Sequence, residues 1–495
     1  MASLRHKPRT ILLGLDGATF RFIDPLLAEG RLPTFGRLKA DGRWGCLQST
    51  LPPYTPQAWT SISTGVNPGK HGIFGFFHHP PATDKYEFFT SRSVKAPKIW
   101  NIMDTLGARS LVLNVPMTYP PERLNGAMIT GMMTPDRDAV FTFPPNLKQW
   151  LLEKFPDYVI DLAVDNRDQK LSVLDELEFM TRRREAVLYA LMERQQPDFV
   201  YVVFVVLDRI HHLFGKYLDP AYRDAFRDGE IRRRLVGIYE AVDGMLGRLL
   251  DAAAGATDVV IVSDHGFGGE RGIFYTNEFL RRAGFLRLKE DVGRRAVGRT
   301  AAAARLRFVQ RLIPRRWVGR LKQYTASAVD RAHSTAWAAP IPQQGIIVNT
   351  SGYADEAGRR QIVTDIIRHL EQVRCPDDPL TRVTRICRRE ELYHGPFLHH
   401  IPDILFAVRD FEYDASNNVV GQTLCDDRSR NPRGKHMPDG VFLAIGPRIE
   451  GRGLCGDVRL EQVAPSILAT YGYTSERFDG PPLPFFDAGV PARAE

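Results

Sequence analysis

The sequence predicts an α/β fold organised on a mostly parallel sheet. Two observations carry this. Almost purely apolar runs recur at residues 11–15, 199–207 and 259–262, and a strand apolar at every position is one buried on both faces, as in a parallel sheet covered by helices. Stretches of helical periodicity at 172–195, 232–253 and 356–373 alternate with these runs, the order expected of βαβ units. With 495 residues the chain exceeds a usual single core. One large domain with an insertion, or two domains, is expected; the arrangement adopted is a single domain over 1–495 with a cap insertion at 76–170 and a basic, helical insertion at 270–335.

Taken in order, 10–15 reads as a strand ending in Asp16. This acid is either a site residue at the sheet's C-terminal edge or a helix N-cap. Residues 22–42 read as helical, restarted at Pro33. The stretch 51–73 opens with prolines and sets Thr55 before Pro56, which pushes Thr55 toward extended backbone. A helix from about 57 to 63 then ends at Gly65, and a hydroxyl at its entry suits a phosphate or an ordinary N-cap. Residues 98–106 form a short helix, and 110–114 and 127–130 strands. The 199–207 strand ends in Asp208, and a helical turn there would put His212 on the same face, with His211 elsewhere. The 258–262 strand ends in Asp264 and His265, with Gly266 permitting a sharp turn. Strands follow at 345–349 and 403–409. His436 falls in a Gly/Pro-rich loop before a strand, and 458–471 is a closing helix.

Composition is that of a globular protein, 43% hydrophobic and 25% charged, and no apolar run reaches the ~20 residues of a membrane span. Five cysteines (Cys46, Cys375, Cys387, Cys425, Cys455) lack a CxxC spacing. They argue against a disulfide framework or thiolate zinc site and fit a reducing cytoplasm, as does a basic N-terminus without a signal-peptide pattern. The net charge of +8 is concentrated: residues 281–322 hold fourteen Lys/Arg against Glu290 and Asp291, leaving the remainder mildly acidic. That segment reads as a helical insertion (294–308 helical), an interfacial helix on anionic lipid, or a nucleic-acid patch.

The site-type residues are therefore Asp16, Thr55, Asp208, His212, Asp264, His265 and His436. An oxygen–nitrogen set without thiolate suits two divalent ions, zinc foremost and manganese as the alternative. Two such ions form a clamp for in-line phosphoryl displacement.

In this order the packets resemble those of the alkaline phosphatase superfamily, in its type I phosphodiesterase/nucleotide pyrophosphatase branch. Leu15-Asp16-Gly17 is similar to the first-strand metal acid. Thr55 with Trp59, Thr64-Gly65, Pro68 and His71-Gly72-Ile73 is similar to the nucleophile motif. Asp208, His212 and Gly215 match D-x-x-x-H-x-x-G, Ser263-Asp264-His265-Gly266 matches S-D-H-G, and Gly434-Lys435-His436 matches the late metal histidine.

The resemblance implies an alkaline-phosphatase-like three-layer sandwich. It implies one ion on Asp208, His212 and His436, a second on Asp16, Thr55, Asp264 and His265, and His71 as a structural turn residue. It further implies hydrolysis of phosphodiester or phosphoanhydride bonds through a phospho-threonine, the substrate being a small phosphorylated molecule such as a nucleotide conjugate. The alternatives are a phosphomonoesterase or phosphomutase on the same site, and a non-catalytic membrane- or nucleic-acid-binding protein; no specific nucleic acid is expected. The sequence resembles bacterial cytoplasmic relatives described as predicted phosphohydrolases or phosphomutases, partly through Val115-Pro116-Met117-Thr118-Tyr119-Pro120-Pro121. Two departures stand out. Phe76 replaces an asparagine that holds phosphoryl oxygens in the branch, leaving Lys70, Arg92 and backbone N–H groups near Thr55 as candidates for that task. The C/S-x-P-x-R signature of sulfatases is absent.

Overall fold

The computed structural model describes residues 6–78, 87–162, 171–289, 329–340, 344–349, 356–375, 381–419 and 423–487. The chain divides into two compact units, one of residues 1–269, 394–397 and 433–495, the other of 270–393 and 398–432. The helix expected at 294–308, and most of the basic 281–322 stretch with its lipid and nucleic-acid readings, lie outside the described residues.

In the first unit β1 (Thr10–Leu15) is followed by α1 (Phe20–Ala28), α2 (Pro33–Asp41), β2 (Arg43–Gln48), α3 (Thr55–Thr64) and the single turn α4 (Pro68–His71). The paired β3 (Phe77–His78) and β4 (Glu87–Phe88) come next, then α5 (Ile99–Thr105), β5 (Ser110–Leu113), β6 (Gly126–Ile129), β7 (Thr142–Phe143) and α6 (Leu147–Lys154). The run continues with α7 (Ser172–Gln195), β8 (Phe199–Phe204), α8 (Val206–Phe214), α9 (Gly229–Ala253), β9 (Asp258–Val262) and β10 (Gly266–Glu270).

Among the described residues, the second unit is a mostly antiparallel sheet accompanied by helices. Its elements include β11 (Gly272–Tyr275), α10 (Thr276–Arg282), β12 (Ala336–Ala338), β13 (Gly345–Val348), α11 (Glu356–Glu371), β14 (Val383–Arg388), β15 (Ile404–Val408), β16 (Tyr413–Ser416) and β17 (Cys425–Asp427). Its core includes Phe274, Leu280, Ile346, Ile366, Leu370 and Phe406. Arg281 and Arg282 both pair with the buried Glu278 one turn back. Cys375 and Cys425 form a disulfide, correcting the expectation that cysteines play no bridging part; the fold brings their Cα atoms to 5.6 Å across a separation of 50 residues. Cys46, Cys387 and Cys455 are free.

The first unit closes with β18 (Arg433–Met437), β19 (Asp439–Ile445), β20 (Gly453–Leu454), β21 (Val458–Arg459) and α12 (Val463–Thr470). The expected closing helix thus begins later, because Val458 and Arg459 pair with β2. Strand order in the main sheet is β20-β2-β19-β9-β1-β8-β5-β6-β7, with β21 on β2. The strands β9, β1, β8, β5 and β6 run parallel, whereas β19 and β7 are antiparallel to their neighbours. Strands β5 to β7, from within 76–170, are part of this sheet. Every residue of β1, β8 and β9 is buried, as their apolar composition requires of strands covered on both faces.

The registers bring the site together. Leu15 lies beside Phe204 and Gly14 beside Val262, so three adjacent parallel strands end at one level. Their C-terminal edge carries Asp16, Asp208 and Asp264 within four residues of each strand end. Backbone bonds lock the edge: Asp16 N–H donates to Phe204 O (3.0 Å) and Asp208 N–H to Asp16 O (2.9 Å). Gly14 has a packing reason, since a Cβ there would lie 2.3 Å from the Trp59 ring laid across β1.

Candidate functional site

Thr55 differs in detail from expectation. It is the first residue of α3, and Tyr54 is the extended N-cap (φ −147°, ψ 128°). Proline is tolerated within the first turn because its missing N–H has no helical partner there, so Pro56 lies inside the helix rather than before it. Every residue of α3 is buried, and Gly65 ends it in left-handed backbone (φ +68°). The nucleophile candidate is therefore presented at the positive end of a rigid helix.

Asp208 and His212 share one face of α8, as the four-residue spacing requires. His436 lies in β18, paired with β10, rather than in a loop. Gly266 follows Asp264 and His265 for a different reason than a left-handed turn: a Cβ there would sit 2.1 Å from Asp439 O.

Two groups of potential ligand atoms result, Asp208/His212/His436 and Asp16/Asp264/His265, each with all its atoms within 4.8 Å of one another. In the first, Asp208 Oδ1 lies 3.4 Å from His212 Nε2 and 3.2 Å from His436 Nε2. In the second, His265 Nε2 is 3.2 Å from Asp264 Oδ2 and 3.8 Å from Asp16 Oδ1. The His265 and His436 rings stack at 3.6 Å, joining the groups. Thr55 Oγ1–H donates to His265 Nε2 at 3.1 Å.

The chemistry of the donors fits cations. Each histidine directs Nδ1 at a backbone carbonyl: His265 at Gly266 O (3.1 Å), His212 at Gly434 O (3.3 Å) and His436 at Pro53 O (3.3 Å). A proton held at Nδ1 leaves the Nε2 lone pair facing inward. His212 Nε2 and His436 Nε2 consequently face each other at 2.9 Å, a repulsive arrangement unless a proton or cation lies between them.

The carboxylates repeat the pattern. Trp59 Nε1–H donates to Asp16 Oδ2 (3.0 Å), Arg209 Nη1 to Asp208 Oδ2 (3.2 Å), and Gly17 N–H to Asp264 Oδ1 (3.2 Å). The opposite oxygens, Asp16 Oδ1, Asp208 Oδ1 and Asp264 Oδ2, are buried without a hydrogen-bond partner among the described residues. Three acids, each pinned by one oxygen and offering the other, form a ligand cradle.

Electrostatics agree. Burial and then the charge of Asp208 push Asp16 well above the ordinary carboxylate range. Burial, Asp16 and Asp208 do the same to Asp264. Burial acts on Asp208 too, but His212, His436 and Arg209 outweigh it and hold that carboxyl well below the range. Burial likewise keeps His265 and His436 neutral, the form that ligates. A divalent cation relieves this crowding of buried acids.

The remaining candidates lie elsewhere. Lys70 Nζ pairs with Asp479 and reaches Arg477 O at 3.4 Å. Arg92 is exposed on a single 3₁₀ turn. His211 is fully buried, its Nε2 2.8 Å from Tyr239 Oη. His71 accepts from Ile73 N–H at Nδ1 (3.1 Å), so its Nε2–H donates to Ser61 Oγ (3.1 Å), tying α4 to α3. Phe76 packs edge-to-face on Tyr54 at 5.4 Å and offers the site no polar group. Arg209 and Asp161 were not anticipated; the one available signal was an arginine directly beside a strand-end acid.

Residues 10–439 match the family model described as type I phosphodiesterase/nucleotide pyrophosphatase. Among solved structures, phosphonoacetate hydrolase from Sinorhizobium meliloti 1021, in complex with phosphonoacetate, has a TM-score of 0.55 at 16% identity, over 93% of this chain and 94% of that one. Human ectonucleotide pyrophosphatase/phosphodiesterase 5 has a TM-score of 0.51 at 13% identity, over 95% and 97%. An inactive threonine-to-alanine variant of the murine protein, in complex with AMP, has a TM-score of 0.51 at 12% identity, over 94% and 95%. At such identities the likeness speaks for the fold, an alkaline-phosphatase-like one. A comparison with curated proteins found no match. With the family model spanning most of its length, the chain belongs to the type I phosphodiesterase/nucleotide pyrophosphatase family and is a metal-dependent phosphoester hydrolase.

Proposed function

We propose that the protein hydrolyses a phosphodiester or phosphoanhydride bond of a nucleotide or nucleotide conjugate through a phospho-threonine at Thr55. In this reading Asp208, His212 and His436 hold one ion, and Asp16, Thr55, Asp264 and His265 the other. The observation that carries it is the Thr55 hydroxyl at the start of α3, 3.1 Å from His265 Nε2 in the Asp16/Asp264/His265 group. The oxygen–nitrogen donor set supports zinc, with manganese as the alternative. When bound, such ions supply positive charge that acidifies a hydroxyl and steadies a leaving oxygen.

The chain's own part is positional. The start of α3 holds the Thr55 hydroxyl beside His265, and the positive end of that helix favours the phosphoryl charge added at Thr55. Thr55 Oγ1 gives up its proton to solvent and bonds to phosphorus as the bond from phosphorus to the leaving oxygen breaks; water then bonds to phosphorus as the bond to Thr55 Oγ1 breaks, and a proton from that water restores the hydroxyl. Two in-line displacements give net retention at phosphorus. The AMP complex of the murine relative supports a nucleotide substrate. A monoesterase or phosphomutase needs an additional cation for the extra negative charge, and Lys70 is committed to Asp479 while Arg92 sits on an exposed turn, which supports the diester reading.

A cytoplasmic setting is part of the proposal. The free Cys46, Cys387 and Cys455 support it and the Cys375–Cys425 bridge opposes it; cell fractionation decides. Among the described residues no helix is long and apolar enough to cross a membrane.

The test compares bis-p-nitrophenyl phosphate with p-nitrophenyl phosphate on zinc- or manganese-loaded protein. A diester preference is expected, with Thr55→Ala lowering turnover by roughly 10⁴-fold while ion binding largely survives. Unchanged turnover in the variant, or inversion at phosphorus, removes the covalent scheme.

A further inference from the structure

The three acids of the site are pinned by donors of different character. Trp59 and Gly17 present neutral N–H groups to Asp16 and Asp264. Asp208 alone is pinned by a guanidinium, that of its chain neighbour Arg209, at 3.2 Å through Nη1. The same guanidinium places Nη2 3.2 Å from both oxygens of Asp161, in the segment after α6. Both partners are largely withdrawn from water, with side chains 15% and 7% exposed.

We propose that the Arg209–Asp161 ion pair is a positioning device that holds Asp208 in its ligating orientation and sets the ion affinity of the Asp208/His212/His436 group alone. This rests on reading that group as an ion site. The fork geometry of arginine allows one plane to engage two carboxylates. With Nη2 shared between the Asp161 oxygens, the guanidinium is restrained from rotating over Asp208 Oδ1, the oxygen that faces His212 and His436. Asp161 also balances the positive charge, which would otherwise repel a cation. Because both terminal nitrogens are committed to carboxylates, Arg209 acts through Asp208 and is a positioning residue rather than a catalytic one. Among the described residues no guanidinium is hydrogen-bonded to the second group, and Arg209 and Asp161 act on Asp16 only through space and in opposite directions, so the two ions should differ in their response to losing the pair.

The test titrates chelator-stripped full-length protein with zinc chloride by calorimetry. Removing Arg209 alone would also remove a charge repelling the cation, so the informative variant is Arg209→Gln with Asp161→Asn, which leaves net charge unchanged. Wild type is expected to take up two ions. The double variant should bind one as wild type does and the other roughly 10–100-fold more weakly, the usual effect of losing support behind a metal ligand, with the circular dichroism of the stripped protein unaltered. Two ions at wild-type affinity would overturn the inference, and equal weakening of both would replace it with a general structural role. Wild type that takes up no ion defeats the reading of the site itself, and the inference with it. If the double variant does not fold, Arg209→Lys keeps the charge but cannot bridge both acids; it should weaken the same single ion, and wild-type binding by it overturns the proposal.

Discussion

The two candidate ligand groups stand side by side yet are built on different principles. Asp16, Asp264 and His265 are wholly buried, rich in acid and supported by neutral donors. Asp208, His212 and His436 are rich in histidine, with His212 and His436 partly open to solvent and Asp208 supported by a buried ion pair. The buried group sits at the ends of β1 and β9, where the chain has little freedom. The open group is assembled from a helix and a strand 224 residues apart. A buried group of two acids needs a cation to be tolerated, whereas a group of one acid and two imidazoles tolerates its absence better. We therefore expect the buried group to bind the tighter, more slowly exchanging ion.

Removing one ligand from each group is the strongest way to break this comparison. Asp264→Asn should abolish one ion and phosphodiester turnover with it, and His436→Ala should abolish the other, as read by metal content after gel filtration. Loss of both ions from either variant would mean that the groups form one cooperative unit. Trp59→Phe is a finer probe. It removes the donor to Asp16 Oδ2 while keeping an aromatic ring over β1, and should weaken the buried ion by roughly 10–100-fold. If it weakens the open ion instead, the assignment of neutral support to the buried group fails.

The smallest effect sharpens the contrast with a histidine outside both groups. Burial pushes His71 down to about 3, with Asp479 only partly opposing. Below its unfolded value near 6.5 the unfolded chain takes up a proton that the folded chain refuses, so stability falls as pH falls. Relative to pH 8, this one group should cost about 1 kcal/mol at pH 5.5. Urea midpoints of wild type and His71→Asn at both pH values, in chelator, measure it: the variant should be less stable throughout but lose less on acidification. An equal loss would assign the pH response to other histidines.

Local patterns carried much of the fold. Apolar runs of four to nine residues with an acid close behind located β1, β8 and β9, because a doubly covered parallel strand has no polar face to confuse the signal. The Asp208–His212 pair was legible from helical spacing alone. Misreadings occurred where a partner distant in sequence decided the outcome. His436 looked like a loop residue because β18 is recognisable only once β10 lies beside it. Val458 and Arg459 joined β2 rather than a helix. Thr55 proved helical because Tyr54, not Thr55, supplies the extended cap.

The sequence by itself determined which residues have the chemistry of the site and that strand ends would present them, since residue type and periodicity are local properties. Only the tertiary structure decided which oxygen of each acid faces inward, that His212 Nε2 and His436 Nε2 face each other, that Arg209 is clamped by Asp161, and that Cys375 meets Cys425. Those outcomes depend on sheet order and register, which bring together atoms from elements tens to hundreds of residues apart, and no local pattern records where a distant element will lie.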